Sequence, residues 1–94
     1  MEVKLKEVRT VLEGELTSVQ GVLSLDFSQK GTELPEYIGI SVAFKEEGKF
    51  LSGGYYPVED SINFNFNACD ENAGNMINEI YAQCKSVCEV KAKQ

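Results

Sequence analysis

The sequence contains no histidine. This absence removes the commonest general base, the commonest metal ligand and every nucleophile that a histidine would activate, so most hydrolase and transferase active sites are excluded. Two carboxylate pairs, Glu59-Asp60 and Asp70-Glu71, remain as candidates for acid-base chemistry. Neighbouring side chains at a turn usually point apart, however, which favours solvated loop and cap residues over a catalytic pair. We therefore expect a protein that is not an enzyme.

Long hydrophobic runs are also missing. The longest nearly apolar stretch, residues 37 to 44, is far shorter than the roughly 18 residues that suggest a membrane span. The first six residues alternate apolar and charged side chains, whereas a secretory signal carries a continuous apolar stretch. The sequence therefore predicts no membrane association and a cytoplasmic location.

Basic residues are scarce, with nine Lys and Arg against fifteen Asp and Glu, and the net charge is -6. No basic residue occurs between Phe50 and Cys84, a stretch that holds five carboxylates: Glu59, Asp60, Asp70, Glu71 and Glu79. Repulsion by phosphate backbones makes direct binding to nucleic acid unfavourable. The same charge would attract basic surfaces of other proteins, including their nucleic-acid-binding grooves, unless it serves only solubility.

Cysteine is infrequent, and its spacing fits neither a disulfide framework nor a zinc site. Cys69, Cys84 and Cys88 form an odd set, which indicates reduced thiols. The three could share a zinc ion, but structural zinc normally takes four ligands, so buried thiols that act as small hydrophobes are the better interpretation. Residues 70 to 74 resemble the start of a calcium loop, yet the glycine stands fifth instead of sixth. We expect no metal and no cofactor.

What is present is the composition of a folded domain. The chain has 94 residues, of which 43% are apolar and 26% are charged, and both values are ordinary for globular proteins. A chain of this length has room for one core, so residues 1 to 94 are predicted to form a single domain.

Alternating apolar and polar residues predict four antiparallel strands. Three of them lie around residues 23 to 27, 38 to 44 and 61 to 67, and the fourth begins at Phe50. Residues 1 to 20 fit a helical stripe as well as a strand hairpin with its turn at Glu13-Gly14, but their many β-branched side chains favour strands.

Glycine and tyrosine mark the expected irregularities of the sheet. Gly48 suits the left-handed conformation of a hairpin loop, and Gly53-Gly54 predicts a bulge or an interruption. Tyr56-Pro57 should end the strand that begins at Phe50. Tyr55 and Tyr56 fit exposed interface aromatics and core-edge packing equally well.

The C-terminal segment, from about residue 71 to 91, is predicted to be an amphipathic helix. Its apolar residues recur at helical spacing: Ala73, Ile77, Ile80, Cys84 and Val87, with Tyr81 and Cys88 beside them. Asp70 suits the N-cap, Glu71 the positive end of the helix dipole, and Lys91 and Lys93 its negative end. The predicted fold is therefore α+β, an antiparallel sheet of four to five strands with the C-terminal helix packed on one face.

The segment Ser-Ile-Asn-Phe-Asn-Phe-Asn is the most specific feature of the chain. It places Ile62, Phe64 and Phe66 on one side of a strand and three asparagines on the other. Asparagine is depleted in strands, so three on one face suggest a binding surface, with plain solvation as the alternative. Together with the carboxylates at both ends of the strand, the predicted partner-binding residues are Glu59, Asp60, Asn63, Asn65, Asn67, Asp70 and Glu71.

These features favour a small acidic module, monomeric or homodimeric, that binds and blocks a basic or polar surface of another protein. In size and acidity the chain is similar to the small inhibitors that phages use against bacterial defence nucleases, anti-CRISPR proteins among them. The similarity is one of composition and implies no residue roles. Two alternatives remain open: a structural subunit that self-associates through its sheet, and a small-ligand or metal-binding domain built on the amides and carboxylates of residues 63 to 70.

Overall fold

The computed structural model describes residues 7–30, 33–67 and 71–92. Five strands are followed by one helix: β1 (Glu7–Glu15), β2 (Gly21–Lys30), β3 (Ile38–Phe44), β4 (Leu51–Tyr56), β5 (Ser61–Phe66) and α1 (Ala73–Ala92). Neighbouring strands are antiparallel, and the strand order in the sheet equals the order along the chain. This is the predicted α+β fold. Within these ranges no helix is long and apolar enough to cross a membrane.

The core lies between α1 and one face of the sheet, which we call the inner face. Met76, Ile80 and Cys84 of α1 are fully buried, and so is Ile38 of β3. The other buried apolar residues of the strands belong mainly to the three central ones: Leu23, Leu25, Phe27, Ile40, Val42, Leu51 and Tyr55. The apolar side chains of β5 are only partly buried against this cluster. The predicted apolar face of the sheet is confirmed, with its centre better covered than its edge.

Residues 7 to 15 form one strand, as the β-branched residues favoured, but the turn that follows lies elsewhere than predicted. Gly14 continues β1 and pairs with Leu23 of β2. The chain turns over residues 16 to 20, where the backbone N–H of Leu16 donates to the carbonyl of Gly21 at 3.0 Å. The expected bulge at Gly53-Gly54 is also wrong, because both glycines stay in register with β3 and β5.

The helix begins at Ala73, slightly later than predicted. The carbonyl of Asn72 accepts the first helical hydrogen bond, from the N–H of Met76 at 2.9 Å, so Asn72 occupies the N-cap position expected for Asp70. Cys69, Asp70 and Lys93 lie outside the described residues.

Met76, which the predicted apolar stripe of α1 omitted, lies at the centre of that stripe together with Ile80 and Cys84. Cys84 and Cys88 are free thiols, and burial raises the pKa of Cys84 to about 12.

Glu79 of α1 clamps the turn between β1 and β2. Its Oε2 accepts hydrogen bonds from the backbone N–H and hydroxyl of Thr17 at 2.8 and 3.0 Å. Its Oε1 accepts the same pair from Ser18 at 2.9 and 2.7 Å. Burial alone would raise the pKa of Glu79, but these four bonds favour the ionised form and lower the pKa to about 2. Glu79, one of the five carboxylates of the acidic stretch, therefore joins the helix to the first hairpin.

We expect Glu79→Gln to lower the free energy of unfolding by about 1 to 2 kcal/mol at neutral pH, because a neutral amide accepts these bonds less well. The folded pKa of about 2 lies below the unfolded value, so the carboxylate stabilises the fold above about pH 4.5 and loses this effect as the pH falls toward 2. The stability difference between variant and wild type should therefore shrink over that range. Urea unfolding at a series of pH values measures it, with Glu89→Gln on the exposed part of α1 as control. A constant difference from pH 7 to 2 would contradict the clamp.

The facing of β5 is tested by substitutions of neighbouring residues. Phe64 is partly buried against the core, so Phe64→Ala should cost about 2 kcal/mol, less than a fully buried phenylalanine. Asn65 is exposed on the other side, and Asn65→Ala should cost less than about 1 kcal/mol. Denaturant unfolding of both variants gives the contrast. A larger loss for Asn65 than for Phe64 would mean that the strand faces the other way.

Candidate functional site

The sheet face opposite α1, which we call the open face, has no layer packed against it among the described residues. The strand register arranges its side chains in rows that cross the sheet, and three of these rows reach β5. The first row carries hydroxyls and an amide: Ser24, Ser41, Ser52 and Asn65. The second row contains Asp26, Gly39, Gly54 and Asn63. The third row carries Tyr37, which directly precedes β3, followed by Tyr56 and Ser61.

Glycines in the second row form a floor on which a tyrosine rests. A Cβ atom added to Gly54 would collide with the ring and hydroxyl of Tyr37, and one added to Gly39 would touch the same ring. The hydroxyl of Tyr37 donates to the carbonyl of Gly53 at 3.2 Å. This close approach explains why β4 carries glycine without any bulge: the missing side chain leaves the space that the ring occupies.

Tyr37 and Tyr56 form an aromatic pair on the open face. Their ring centroids are 5.0 Å apart and the rings are tilted by 56°. The two residues nevertheless remain 44% and 39% exposed. Of the two tyrosines in sequence at the end of β4, Tyr55 is instead buried in the core, because strand alternation sends it to the inner face.

Two shallow depressions lie on either side of Tyr37. One, of about 340 Å³, is bounded by Ser52, Gly54, Tyr56 and Asn63. The other, of about 530 Å³, is bounded by the side of β2 that carries Asp26 and Ser28 and by the segment 33 to 37. The ring of Tyr37 thus stands between two depressions, which leave room for side chains of a partner.

Asn63 and Asn65 lie where the sequence placed them, exposed on the open face. Within the described part of the chain neither carboxamide has a hydrogen-bond partner, so both keep their donors and acceptors for water or for a ligand. Asn67 follows the end of β5 and is used differently. Its Oδ1 accepts from the N–H of Phe50 at 2.9 Å and its Nδ2 donates to the carbonyl of Gly48 at 2.7 Å, which closes the loop between β3 and β4.

Asp60 faces the helix side of the sheet. It stands in the turn between β4 and β5 with φ of 53°, a left-handed conformation that aspartate tolerates. Its Oδ1 accepts from the hydroxyls of Tyr55 at 2.6 Å and Tyr81 at 2.9 Å, and Lys85 Nζ is 3.8 Å away. The bonds from Tyr55 and Tyr81 hold the pKa of Asp60 below its usual range. Asp60 thus ties the last hairpin to α1, in addition to any contact with a partner.

The acidic residues of the predicted site that the structure describes do not form one continuous patch. Glu59 is exposed in the turn before β5, whereas Glu71 is exposed in the turn before α1, beyond the other end of that strand. A strand of six residues is about 20 Å long, so the two carboxylates are well separated. In the described ranges no three side chains of His, Cys, Asp or Glu come together as metal ligands would.

Tyr37 and its glycine floor are the part of the site that the sequence did not reveal. Gly39 and Gly54 were visible as small residues, but the stacking of Tyr37 on them depends on the pairing of β3 with β4. Comparison of the chain with protein-family models, with curated proteins and with solved structures finds no match.

Gly54→Ala tests the floor. The new methyl group should displace the ring of Tyr37, break its bond to Gly53 and lower the free energy of unfolding by about 1 kcal/mol. In a Tyr37→Ala background the ring is gone, so the same methyl group should cost less, and a double-mutant cycle by denaturant unfolding measures this difference. Gly14→Ala, where a Cβ meets no atom, is the matched control. Additive effects of the Tyr37 and Gly54 changes would show that the ring does not lie on the floor in solution.

Proposed function

We propose that this chain is a non-enzymatic protein-binding module that covers a basic or polar surface of another protein with its open face and thereby inhibits that protein. The observation that carries the proposal is the exposed Tyr37 and Tyr56 pair on its glycine floor, surrounded by serine and asparagine. A sheet face that served only solvation would not need two large, partly apolar rings at its surface.

The composition of the open face is that of a binding surface. Tyrosine supplies a large, rigid and amphipathic contact at little cost in conformational entropy, while serine, glycine and asparagine supply adaptable hydrogen bonds, as in antibody combining sites. Tyr37 is held by its bond to Gly53 and by contact with Tyr56, so it is already ordered before a partner arrives. Such preorganisation raises affinity because less freedom is lost on binding.

The amides favour a polar partner. Asn63 and Asn65 each present one carbonyl and one NH2 group that no described residue engages. Against a purely apolar surface these groups would lose their hydrogen bonds to water and form none in return, at a cost of about 1 to 3 kcal/mol each. A surface with its own donors and acceptors, or with basic side chains, compensates for that loss.

Among polar partner surfaces, the negative net charge of the chain favours those that are basic. A charge of -6 attracts positive surfaces over a distance of about one Debye length, roughly 10 Å at 0.1 M salt. Glu59 and Glu71, both exposed and near opposite ends of β5, are the carboxylates of the predicted site best placed to steer such a partner. The nucleic-acid-binding groove of an enzyme has this charge, and a chain of 94 residues is large enough to block one.

The proposal is tested by capture with matched baits from a lysate of the native host, followed by mass spectrometry. The three baits are the wild type, an open-face variant with alanine at Tyr37, Tyr56, Asn63 and Asn65, and a control with alanine at Gln83 and Glu89 on the exposed part of α1. We expect one protein to be retained by the wild type and the control and lost with the open-face variant, while circular dichroism shows that all three are folded. Equal capture by all three baits would refute this role of the open face.

Binding kinetics with the captured protein distinguish short-range contacts from electrostatic steering. The open-face variant should raise the dissociation rate, because it removes short-range contacts of the formed complex. Charge reversal at Glu59 and Glu71 should instead slow association and reduce its dependence on salt. Asp60 is left intact in this test because its carboxylate also holds Tyr55 and Tyr81. If the partner is an enzyme, its activity should fall as the complex forms.

A further inference from the structure

The smaller depression of the open face, of about 340 Å³, lies over the antiparallel pair of β4 and β5. Its floor is the backbone of Gly53 and Gly54, and its walls are formed by two aromatic and two polar side chains: Tyr37, Tyr56, Ser52 and Asn63. Gly54 pairs directly with Asn63, and the ring of Tyr37 lies over Gly54. Two exposed rings therefore stand beside hydrogen-bonding groups in one concave site.

The polar groups of this depression include hydrogen-bond acceptors that the described chain leaves unused. No described residue binds the hydroxyl of Ser52 or the carboxamide of Asn63. The hydroxyl of Tyr37 donates to the carbonyl of Gly53 at 3.2 Å and keeps its own lone pairs. The described residues that line the depression include no Lys or Arg. A cation with several N–H donors therefore finds free acceptors here and no charge that repels it.

We propose that this depression binds an arginine side chain of the partner protein, with the guanidinium plane against the tyrosine rings and its N–H groups donating to Asn63 and Ser52. The inference rests on the proposed function and deepens it, because it names the residue type that the open face recognises on a basic partner.

Arginine fits this site better than lysine or a neutral group does. Its guanidinium is planar, weakly hydrated and always charged, stacks on aromatic rings, and carries five donors and no acceptor. Lysine ends in a compact ammonium that holds water strongly, and the lining has no carboxylate to replace that water. A neutral planar group could stack on the rings, but neither their negative faces nor the net charge of -6 would attract it.

The larger depression on the other side of Tyr37 is less suited to an arginine of the partner. The carboxylate of Asp26 in its lining already accepts two hydrogen bonds from the guanidinium of Arg9. Lys30 also lines this depression and would repel a second cation. We therefore assign the arginine to the smaller depression.

NMR titration of the full chain with three blocked amino acids tests the inference. Arginine supplies both the plane and the charge, citrulline has a similar shape without the charge, and lysine has the charge without the plane. We expect blocked arginine to shift the Gly54 backbone amide and the Asn63 carboxamide saturably in the millimolar range, and the other two to bind at least about threefold more weakly. No saturable shift with arginine, or equal affinity for citrulline or lysine, would overturn the inference.

Substitutions of Asn63 should change the affinity for blocked arginine in opposite directions. Asn63→Asp places a carboxylate beside the guanidinium, so the charge-assisted bond should tighten binding about threefold or more. Asn63→Lys should abolish binding by repulsion, and Gln83→Ala on the exposed part of α1 should leave it unchanged. Asn63 is exposed, so we expect circular dichroism to show that all variants are folded. An affinity for arginine that neither Asn63 substitution alters would also overturn the inference.

Failure of this inference is distinguishable from failure of the proposed function. Capture of a partner through the open face, without any preference for blocked arginine, would overturn the arginine site and leave the proposed function in place. A preference for arginine together with equal capture by all three baits would refute the proposed function and leave the arginine site.

Discussion

The width of one helix limits what this fold can cover. A helix with its side chains is about 10 to 12 Å across, whereas five strands at about 4.8 Å spacing span nearly 20 Å. Met76, Ile80 and Cys84 therefore seal the inner face over the central strands, where Leu25, Ile38 and Leu51 are buried. The edge strands receive only part of this cover. The half-buried phenylalanines of β5 and the exposed Val8 and Leu12 of β1 follow from that geometry.

The same limit determines the chemistry of the open face. The helix that the structure describes lies on the other side of the sheet, so the open face is exposed to water. Its side chains are largely those of serine, glycine and asparagine. Tyr37 and Tyr56 depart from this pattern, since their rings expose apolar surface where a purely solvated sheet would not. The proposed interaction with a partner protein uses this open face, which the helix cannot protect.

Polar side chains hold three of the four connections between neighbouring strands. Glu79 binds the turn between β1 and β2, and Asn67 binds the loop between β3 and β4. Asp60 binds Tyr55 and Tyr81 at the turn between β4 and β5. Each of these three residues was conspicuous in the sequence as a charge or an amide available for binding. Their internal bonds show that a polar residue in an acidic segment can serve the fold before it serves a partner.

The sequence by itself determined the class of the fold and the facing of its strands. Period-two alternation assigned Leu25, Ile40 and Phe64 to one face and Asn63 and Asn65 to the other, because successive strand residues must point to opposite sides. Helical spacing likewise located α1, although it missed Met76. These are local rules, and each operates within a single element.

Only the tertiary structure decided which residues of different elements meet. The sequence predicted a bulge at Gly53-Gly54, and only the register of β3 with β4 shows that Gly54 faces outward with Tyr37 over it. Composition counts Glu79 and Asp60 only as negative charge, but the packing of α1 joins Glu79 to Thr17 and Asp60 to Tyr81. Contacts between residues distant in sequence depend on how whole elements pack, and local periodicity carries no information about that packing.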